Sequence, residues 1–413
     1  MEPSVWTERM LEALERGVKG GKWFSLMDKV SARRTLEAAW QRVRRNRGAG
    51  GIDGVSIERF AASAERVLTE LEREIKGGRY RPAPVRRCWI PKPGTEQKRG
   101  LGIPTVRDRV VQAALRAVLE PIFERRFVGS SYGFRPGRSC KDALRRVVEL
   151  LRQGFVWVVD ADIVSYFDAI DHGLLMDDVR EDVADGGVLA MVEAFLKAKV
   201  MEGAASWEPE SGTPQGGVIS PLLANIYLHP VDVVLQGAGL ASVRYADDLV
   251  VLCRSREEAE KALEVLRAAL AERKLTLHAD KTRIANAMVE GFDFLGYHFH
   301  GSDRWPRKKS VTKLRDAIRV HTRRANGESL AAIVARINPV LRGWFDYFKH
   351  SKSNTFPAVD GWVRMRLRSI LRKRAHRRGR GRGYDHQRWP NTFFTAHGLF
   401  TMTEAHAAAL QSR

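Results

Sequence analysis

A short apolar segment that contains two adjacent acids constrains this chain more than any other feature. Residues 243–252 read Val-Arg-Tyr-Ala-Asp-Asp-Leu-Val-Val-Leu, which predicts a tight hairpin with Asp247 and Asp248 at its tip. A continuous apolar run at residues 155–159 predicts a buried strand that ends in Asp160 and Asp162. Because helical patterns are interleaved with these strands, the feature favours a mixed α/β fold.

Carboxylates at these positions favour a metal site. Neighbouring strands lie about 4.8 Å apart, so acids at the hairpin tip and at the end of an adjacent strand can share divalent cations. Two Mg²⁺ ions held in this way stabilise the attacking and leaving oxygens of an in-line phosphoryl displacement. Asp160 and Asp162 lie on one face of the predicted strand, so the spacing does not separate them. The alternative is that the adjacent aspartates only favour a turn.

The charge balance indicates a polyanionic partner. The 413 residues include 70 Lys and Arg against 49 Asp and Glu, a net charge of +21, although 44% of residues are hydrophobic. Nine acids fall within residues 160–185, beside one arginine. Basic residues concentrate in residues 304–324 and 364–382. One such run is typical of a solvated helix face, but two runs and the net charge together favour nucleic acid.

Membrane, exported and zinc-binding proteins are not favoured. No apolar run approaches the roughly 18–20 residues of a membrane span, and the first residues lack a signal-peptide pattern. Cys88, Cys140 and Cys253 are isolated in sequence, which is typical neither of a disulfide framework nor of a zinc pair. We therefore expect a cytoplasmic protein that has no membrane partner.

The other patterns alternate helices with short strands. Helical periodicity extends to about Leu71, with a glycine-rich interruption at residues 48–54. Residues 88–104 predict two short strands around a turn. Thr105 and Asp108 are typical of the capped start of a long apolar helix. After about residue 311 only helical patterns remain.

Six segments in succession resemble the sequence blocks of group II intron-encoded reverse transcriptases. They are RGLGIPTVRDRVVQ (99–112), SYGFRPGRS (131–139), DIVSYFDAIDH (162–172), GTPQGGVISPLLANIY (212–227), YADD (245–248) and FLGY (294–297). The segment INPVLRGWFDYF (337–348) also resembles the thumb, or maturase, domain of that family. Without a His-Asn-His endonuclease pattern, the chain is similar to short bacterial members, as in class C introns.

The resemblance implies a catalytic and metal-binding set. Asp162, Asp247 and Asp248 match the polymerase aspartates, and the backbone carbonyl of Ile163 matches a further metal ligand. The motif that follows Asp162 selects it over Asp160. Mg²⁺, two ions per active site, is the implied cofactor.

The resemblance also implies substrate-binding residues. Phe167 matches the aromatic residue beneath the incoming sugar, where its ring would exclude a ribonucleotide hydroxyl; the alternative is ordinary core packing. Gln215 and Gly216 match the segment beneath the incoming base, although a simple helix entry would use the same residues.

Three basic residues complete the implied nucleotide site. Lys92 and Arg99 match residues that grip the triphosphate, for which an ammonium and a guanidinium are suited. A solvated hairpin is the alternative for both. Lys281 matches a lysine sometimes assigned as proton donor to the leaving pyrophosphate, and a salt bridge or plain solvent exposure is the alternative.

The implied fold is an α/β right-hand polymerase with an α-helical thumb. We expect an N-terminal extension and the start of the fingers at residues 1–80, fingers and palm at 81–300, thumb at 301–371 and a basic nucleic-acid-binding tail at 372–413. The tail residues expected to contact nucleic acid are Arg372, Lys373, Arg374, Arg377, Arg378, Arg380 and Arg382.

The implied function is RNA-directed DNA synthesis coupled to intron splicing and mobility in a bacterium. The expected partners are group II intron RNA, a DNA target that supplies the primer, and deoxynucleoside triphosphates. One alternative is a domesticated enzyme of this type in defence or repair. Another is an RNA-binding splicing factor without polymerase activity, against which the three aspartates argue.

Overall fold

The computed structural model describes residues 5–18, 20–91, 98–377, 379 and 383–411. The chain forms two compact units, residues 1–285 and residues 286–413. No helix in the described ranges is long and apolar enough to cross a membrane. Four residues to which the sequence analysis assigns a role lie outside the described residues, namely Lys92, Arg378, Arg380 and Arg382.

The first unit begins with a helical region, as the sequence periodicity predicts. Its helices are α1 (Glu8–Arg16), α2 (Met27–Ser31), α3 (Arg33–Asn46), α4 (Ile57–Ala62) and α5 (Ala64–Lys76). The glycine-rich loop lies between α3 and α4. A Cβ on Gly51 would lie 2.6 Å from the Cα of Thr105, so glycine allows this loop to pack against the residue that precedes the next helix.

That next helix, α6 (Val106–Glu124), lies at the centre of the unit and packs against α3. The side chain of Thr105 caps it by accepting a hydrogen bond from the Asp108 N–H at 3.1 Å, as predicted. Fifteen of its 19 residues are buried. Among them, the Asp108 carboxylate accepts hydrogen bonds from the Tyr80 hydroxyl at 2.6 Å and from the Ala83 N–H at 3.2 Å. The buried Asp108 carboxylate therefore has the hydrogen-bond partners that a buried acid requires.

Six more helices and eight strands complete the first unit, and the last strand ends one residue past its boundary. The helices are α7 (Cys140–Arg152), α8 (Tyr166–Ala169), α9 (His172–Asp182), α10 (Gly186–Leu196), α11 (Ser220–Gly237) and α12 (Arg256–Glu272). The strands are β1 (Val85–Pro91), β2 (Lys98–Ile103), β3 (Trp157–Asp162), β4 (Val200–Glu202), β5 (Ala205–Trp207), β6 (Ala241–Tyr245), β7 (Asp248–Cys253) and β8 (Arg283–Asn286).

The strands form two sheets that position the site. One has the order β2-β1-β4-β5, with β1 antiparallel to β2 and parallel to β4. The other has the order β6-β7-β3-β8, with β7 antiparallel to both β6 and β3. Val158 and Val159 are fully buried, as expected from the apolar run, and α12 packs against β3 and β7. This second sheet carries the acids.

The second unit joins a small sheet to a helical core. Its antiparallel strands are β9 (Phe292–Phe294), β10 (Tyr297–His300) and β11 (Asp303–Pro306). Its helices are α13 (Lys308–His321), α14 (Leu330–Phe348), α15 (Thr355–Arg374), α16 (Tyr384–Arg388), α17 (Asn391–Ala396) and α18 (Met402–Gln411). The described elements from α13 onward are helices only, as predicted.

The structure differs from the expectation of a tail after residue 371. Residues 372–374 form the last turn of α15, and α18 packs back against that helix. Four apolar side chains beyond residue 383 are buried in the core with α14 and α15: Trp389, Phe394, Leu399 and Met402. Their burial explains why residues 384–411 fold with the helical unit instead of extending from it.

Candidate active site

The pairing of three strands brings the predicted acids together. In the β3–β7 pair, Asp162 lies directly opposite Asp248. In the β6–β7 pair, Tyr245 lies opposite Asp248, which leaves Ala246 and Asp247 as a two-residue turn. Ala246 has a φ of 58°, the left-handed conformation used in such turns. One strand end and one turn therefore present all three aspartates.

Strand position separates Asp160 from Asp162, which sequence spacing could not. Asp160 lies two residues further into the sheet, where the Arg283 Nε is 3.6 Å from its carboxylate. Asp162 ends the strand, 43% of its side chain is exposed, and its carboxylate is 2.7 Å from the Lys281 Nζ. Of the two acids, Asp162 is thus the one beside the hairpin turn.

Electrostatics at the turn favour a bound cation. Burial raises the pKa of Asp247, and the charge of Asp162 raises it further. A backbone hydrogen bond and the charges of Arg99 and Arg244 act in the opposite direction. A carboxyl group in this environment is stabilised in its charged form by a nearby positive charge.

The segment that follows α12 runs antiparallel to the chain beyond β3. The His278 N–H donates to the Asp162 carbonyl at 2.7 Å, and the Val164 N–H donates to the Thr276 carbonyl at 2.9 Å. Ile163 lies between these two bonds, and neither uses its carbonyl. The same segment carries the lysine that pairs with Asp162.

The donor set fits Mg²⁺ held jointly by protein and substrate. Among the described residues, no three His, Cys, Asp or Glu side chains form a metal-binding group by themselves. Mg²⁺ characteristically binds one or two carboxylates and completes its shell with water and substrate phosphates. Asp162 and Asp247 lie close enough for their charges to interact, and Lys281 and Arg99 provide positive charge beside them. The residues present therefore suit such a shared shell.

Arg244 fixes the position of the hairpin turn, and sequence reasoning missed it. Its side chain is 1% exposed and forms an ion pair with Asp232, which is also 1% exposed. Its guanidinium donates to the Ala246 carbonyl at 2.9 Å, the Asn225 side-chain oxygen at 3.1 Å and the Ser131 hydroxyl at 2.8 Å. Burial by itself lowers the pKa of Arg244, but the charge and hydrogen bonds of Asp232 raise it above its usual value.

A sequence signal for this role was present. Arg244 is the one charged residue of β6, two positions before the turn that begins at Ala246. The segment at residues 131–139 also packs closely here, since a Cβ on Gly133 would lie 2.2 Å from the Ala246 nitrogen. Asn225 donates a hydrogen bond to the Gly133 carbonyl at 2.8 Å. Contacts from residues 131–139, from α11 and from the Arg244 side chain thus fix the position of the hairpin turn.

Phe167 lies on α8, partly buried against the core of the first unit. Its ring centroid is 6.5 Å from that of Phe134, which in turn is 6.4 Å from that of Tyr245. Phe134 is 40% exposed. The Phe167 carbonyl accepts a hydrogen bond from the Thr213 N–H at 2.8 Å. The ring therefore contacts both the core and a partly exposed aromatic group beside the acidic turn.

The loop with Gln215 and Gly216 lies along β2. The Gly102 N–H donates to the Gln215 carbonyl at 2.8 Å. Gly216 has a φ of 123°, and a Cβ there would lie 2.6 Å from the Gly102 carbonyl oxygen. Arg99 lies on the same strand, exposed, and its charge acts on Asp247. The structure thus brings Arg99 and this loop to one strand, close to the acids; the role of each residue stays a prediction.

The four described members of the expected basic tail set, Arg372, Lys373, Arg374 and Arg377, lie in the other unit. Arg372 forms an ion pair with Asp385, and Arg374 donates to the Glu328 carbonyl. Lys373 and Arg377 are exposed. Two of the four are thus engaged within the protein, and the nucleic-acid role of the set stays a prediction.

Comparison with known families identifies the chain. Residues 90–299, half of its length, match the family described as reverse transcriptase (RNA-dependent DNA polymerase). The chain belongs to the reverse transcriptase family. Residues 311–389 of this reverse transcriptase match the group II intron maturase-specific domain. It is therefore an RNA-directed DNA polymerase with the divalent-metal dependence of that family, and it carries a maturase-specific domain.

The relatives of this reverse transcriptase support that assignment. It is 36% identical to Protein YkfC of Escherichia coli (strain K12) over 286 residues, 60% of this chain and 74% of YkfC. It is 40% identical over 194 residues to the group II intron-encoded protein LtrA of Lactococcus lactis subsp. cremoris, 47% of this chain but only 32% of LtrA. A solved partial Cas6-RT-Cas1–Cas2 complex has 23% identity and a TM-score of 0.38, covering 60% of this chain and 41% of that one. That similarity is too low to support a conclusion.

Proposed function

We propose that this reverse transcriptase extends a DNA primer on group II intron RNA. In this proposal two Mg²⁺ ions are held by Asp162, Asp247, Asp248 and the Ile163 carbonyl. The observation that carries it is the strand register, in which Asp162 lies opposite Asp248 with Asp247 in the adjoining turn. When bound, the metal ions would stabilise charge on the attacking and leaving oxygens.

The remaining residues bind and orient the nucleotide. Arg99 grips the triphosphate together with Lys92, through charge-assisted hydrogen bonds. Phe167 packs against the sugar and excludes a 2′-hydroxyl by its bulk. Gln215 and Gly216 support the base. The hydrogen bond from the Gly102 N–H on β2 to the Gln215 carbonyl holds this loop beside the strand. These assignments divide the contacts to phosphate, sugar and base among β2, α8 and the loop with Gln215 and Gly216.

Lys281 has two roles in this scheme. In the free protein its ammonium group pairs with Asp162 and neutralises part of the acidic site. In the proposed reaction the ammonium group would leave Asp162 and donate its proton to the leaving pyrophosphate. An ammonium on a flexible stem can reach both positions.

We further propose that the helical unit binds group II intron RNA as a maturase for splicing and mobility, in a bacterial cytoplasm. The family match over residues 311–389 and the basic runs at residues 304–324 and 364–382 support this part. The DNA target supplies the primer, and deoxynucleoside triphosphates are the substrates.

Primer extension tests the polymerase part directly. The full chain is incubated with an RNA template, an annealed DNA primer, deoxynucleotides and Mg²⁺, and the products are sized. We expect extension to the end of the template, which is lost when a chelator removes the metal. No extension under any divalent cation would contradict the proposal.

A further inference from the structure

A cleft in the helical unit concentrates positive charge. It lies between α13 and α15, has a volume of about 260 Å³ and is lined by Arg319, Thr322, Arg324, Trp362, Met365, Arg366 and Ser369. Trp362 is partly exposed, and Arg319 and Arg324 are exposed. The cleft is far along the chain from every polymerase residue discussed above.

Three guanidinium groups, two of them from residues that line the cleft, lie near the indole ring of Trp362. The guanidinium carbons of Arg315, Arg319 and Arg366 lie 5.6, 5.7 and 5.7 Å from the ring centroid of Trp362. The negative face of an indole ring attracts such cations and partly offsets their mutual repulsion. Trp362 therefore gathers charges that would otherwise separate.

The arginine residues around Trp362 outnumber the carboxylates that pair with them. Within the described residues, Asp316 is the carboxylate that pairs with them, through Arg319. Arg366 donates instead to the hydroxyl and the carbonyl of Thr322, at 2.8 and 2.6 Å, and Arg324 donates to the Gly379 carbonyl at 3.1 Å. Burial lowers the pKa of Arg366, and the charge of Arg319 lowers it further. The cleft thus holds a surplus of positive charge that a bound anion would relieve.

We propose that the α13–α15 cleft is a binding site for a backbone phosphate of RNA, formed by Arg319, Arg324 and Arg366 around Trp362, with Arg315 adding positive charge beside the same ring. Guanidinium groups match phosphate oxygens as forked donors. Only a small anion suits a cleft of this volume. The inference rests on the proposed function in one respect, since it takes RNA as the source of the phosphate.

The salt dependence of RNA binding tests the site. The variant Arg315→Gln/Arg319→Gln removes two charges and leaves the bonds from Arg366 to Thr322 in place. Affinity for an unstructured RNA oligonucleotide is measured at several salt concentrations. We expect weaker binding and a slope of log affinity against log salt that is shallower by about 0.7 for each phosphate that the variant no longer neutralises. Thermal unfolding establishes that the variant is folded.

A matched variant separates the cleft from charge in general. Arg336→Gln/Arg342→Gln makes the same charge change on α14, where Arg336 pairs with Glu328 and Arg342 stacks on Phe400. We expect it to keep the wild-type slope. Equal flattening in both variants would overturn the proposal, because the effect would then follow net charge alone. If the first variant does not fold, Arg319→Lys replaces it, because lysine keeps the charge but lacks the forked donors of arginine. We expect this variant to bind RNA more weakly with the wild-type salt slope. Unchanged RNA affinity would also overturn the proposal.

Two further measurements distinguish the remaining outcomes. Titration with inorganic phosphate shows whether the cleft takes a free anion; loss of that binding in the variant with an unchanged RNA slope would overturn the RNA assignment. Extension of a short primer-template by the wild-type chain is measured in parallel. Failure of extension alone counts against the polymerase proposal, whereas an unchanged RNA slope in the first variant counts against the cleft.

Discussion

Arg244 and Asp232 form an ion pair that is almost completely shielded from solvent, with both carboxylate oxygens bound by the guanidinium. The same guanidinium holds the carbonyl of Ala246, the residue directly before Asp247. Stability and position of the acidic turn therefore depend on one side chain.

Replacement of Arg244 by Leu is expected to destabilise the protein strongly. The change leaves Asp232 buried without its charge partner, which typically costs about 3–5 kcal/mol. The free energy of unfolding, from denaturant titration, measures this loss. A change below about 1 kcal/mol would contradict the buried pair as a stabilising interaction.

The double variant Arg244→Leu/Asp232→Leu separates positioning from stability. Removal of both charges is expected to restore most of the free energy of unfolding, because no isolated buried charge remains. Primer extension should stay low, since the bond to the Ala246 carbonyl is still absent. If extension returns in proportion to stability, Arg244 does not position the turn.

Asp247→Asn and Asp248→Asn are each expected to reduce primer extension at least on the order of 10²-fold. Either change removes one negative charge from the strand end with little change in volume, so RNA affinity should stay close to wild type. Extension rate and RNA affinity are measured on the same preparations. Near wild-type extension by either variant would remove that residue from the metal site.

Phe167→Ala is expected to raise ribonucleotide incorporation relative to deoxynucleotide on the order of tenfold. The ring excludes a 2′-hydroxyl by its bulk, so its loss should affect sugar choice more than overall rate. Competition between the two nucleotide types in one extension reaction gives the ratio. An unchanged ratio in a folded variant would indicate that Phe167 is only a core residue.

Gly216→Ala is expected to raise the KM for deoxynucleotides by about tenfold to a hundredfold. The new Cβ would lie 2.6 Å from the Gly102 carbonyl oxygen, at a φ that side chains rarely adopt, and would move the loop away from β2. Gly186→Ala is the control, because a Cβ there meets nothing within 4 Å. Steady-state kinetics should separate the two variants; equal values would contradict the close approach.

The basic end of α15 is expected to divide into two roles. Arg372→Gln leaves Asp385, a carboxylate that is 1% exposed, without its arginine and should lower the thermal unfolding midpoint. Lys373→Gln/Arg377→Gln changes exposed residues and should flatten the salt dependence of RNA binding by about 0.7 for each phosphate no longer neutralised, at unchanged stability. The reverse pattern would contradict the division.

Sequence alone determined the parts that follow from local pattern. The apolar run before Asp160 predicted a buried strand, residues 243–252 predicted the hairpin, and Thr105 predicted the start of α6, because side-chain periodicity and capping are local properties. The order of the motif blocks likewise indicated the reverse transcriptase family, and the family match confirmed it.

Tertiary structure decided what depends on pairing between distant segments. Only the β3–β7 register puts Asp162 opposite Asp248 and leaves Asp160 further into the sheet, since spacing along one strand carries no information on its partner. The burial of Arg244 likewise follows from the convergence of segments that are distant in sequence.

The expectation of a tail separate from the helical unit differs from the structure for the same physical reason, while its nucleic-acid role stays a prediction. Its charge was conspicuous in the sequence, whereas the local pattern did not show that apolar residues beyond it, such as Trp389 and Phe394, pack against earlier helices. Their burial against α14 and α15 folds that segment into the helical unit. Composition indicates which class of partner the protein surface favours. Which residues lie on that surface depends on how apolar side chains that are distant in sequence pack into one core.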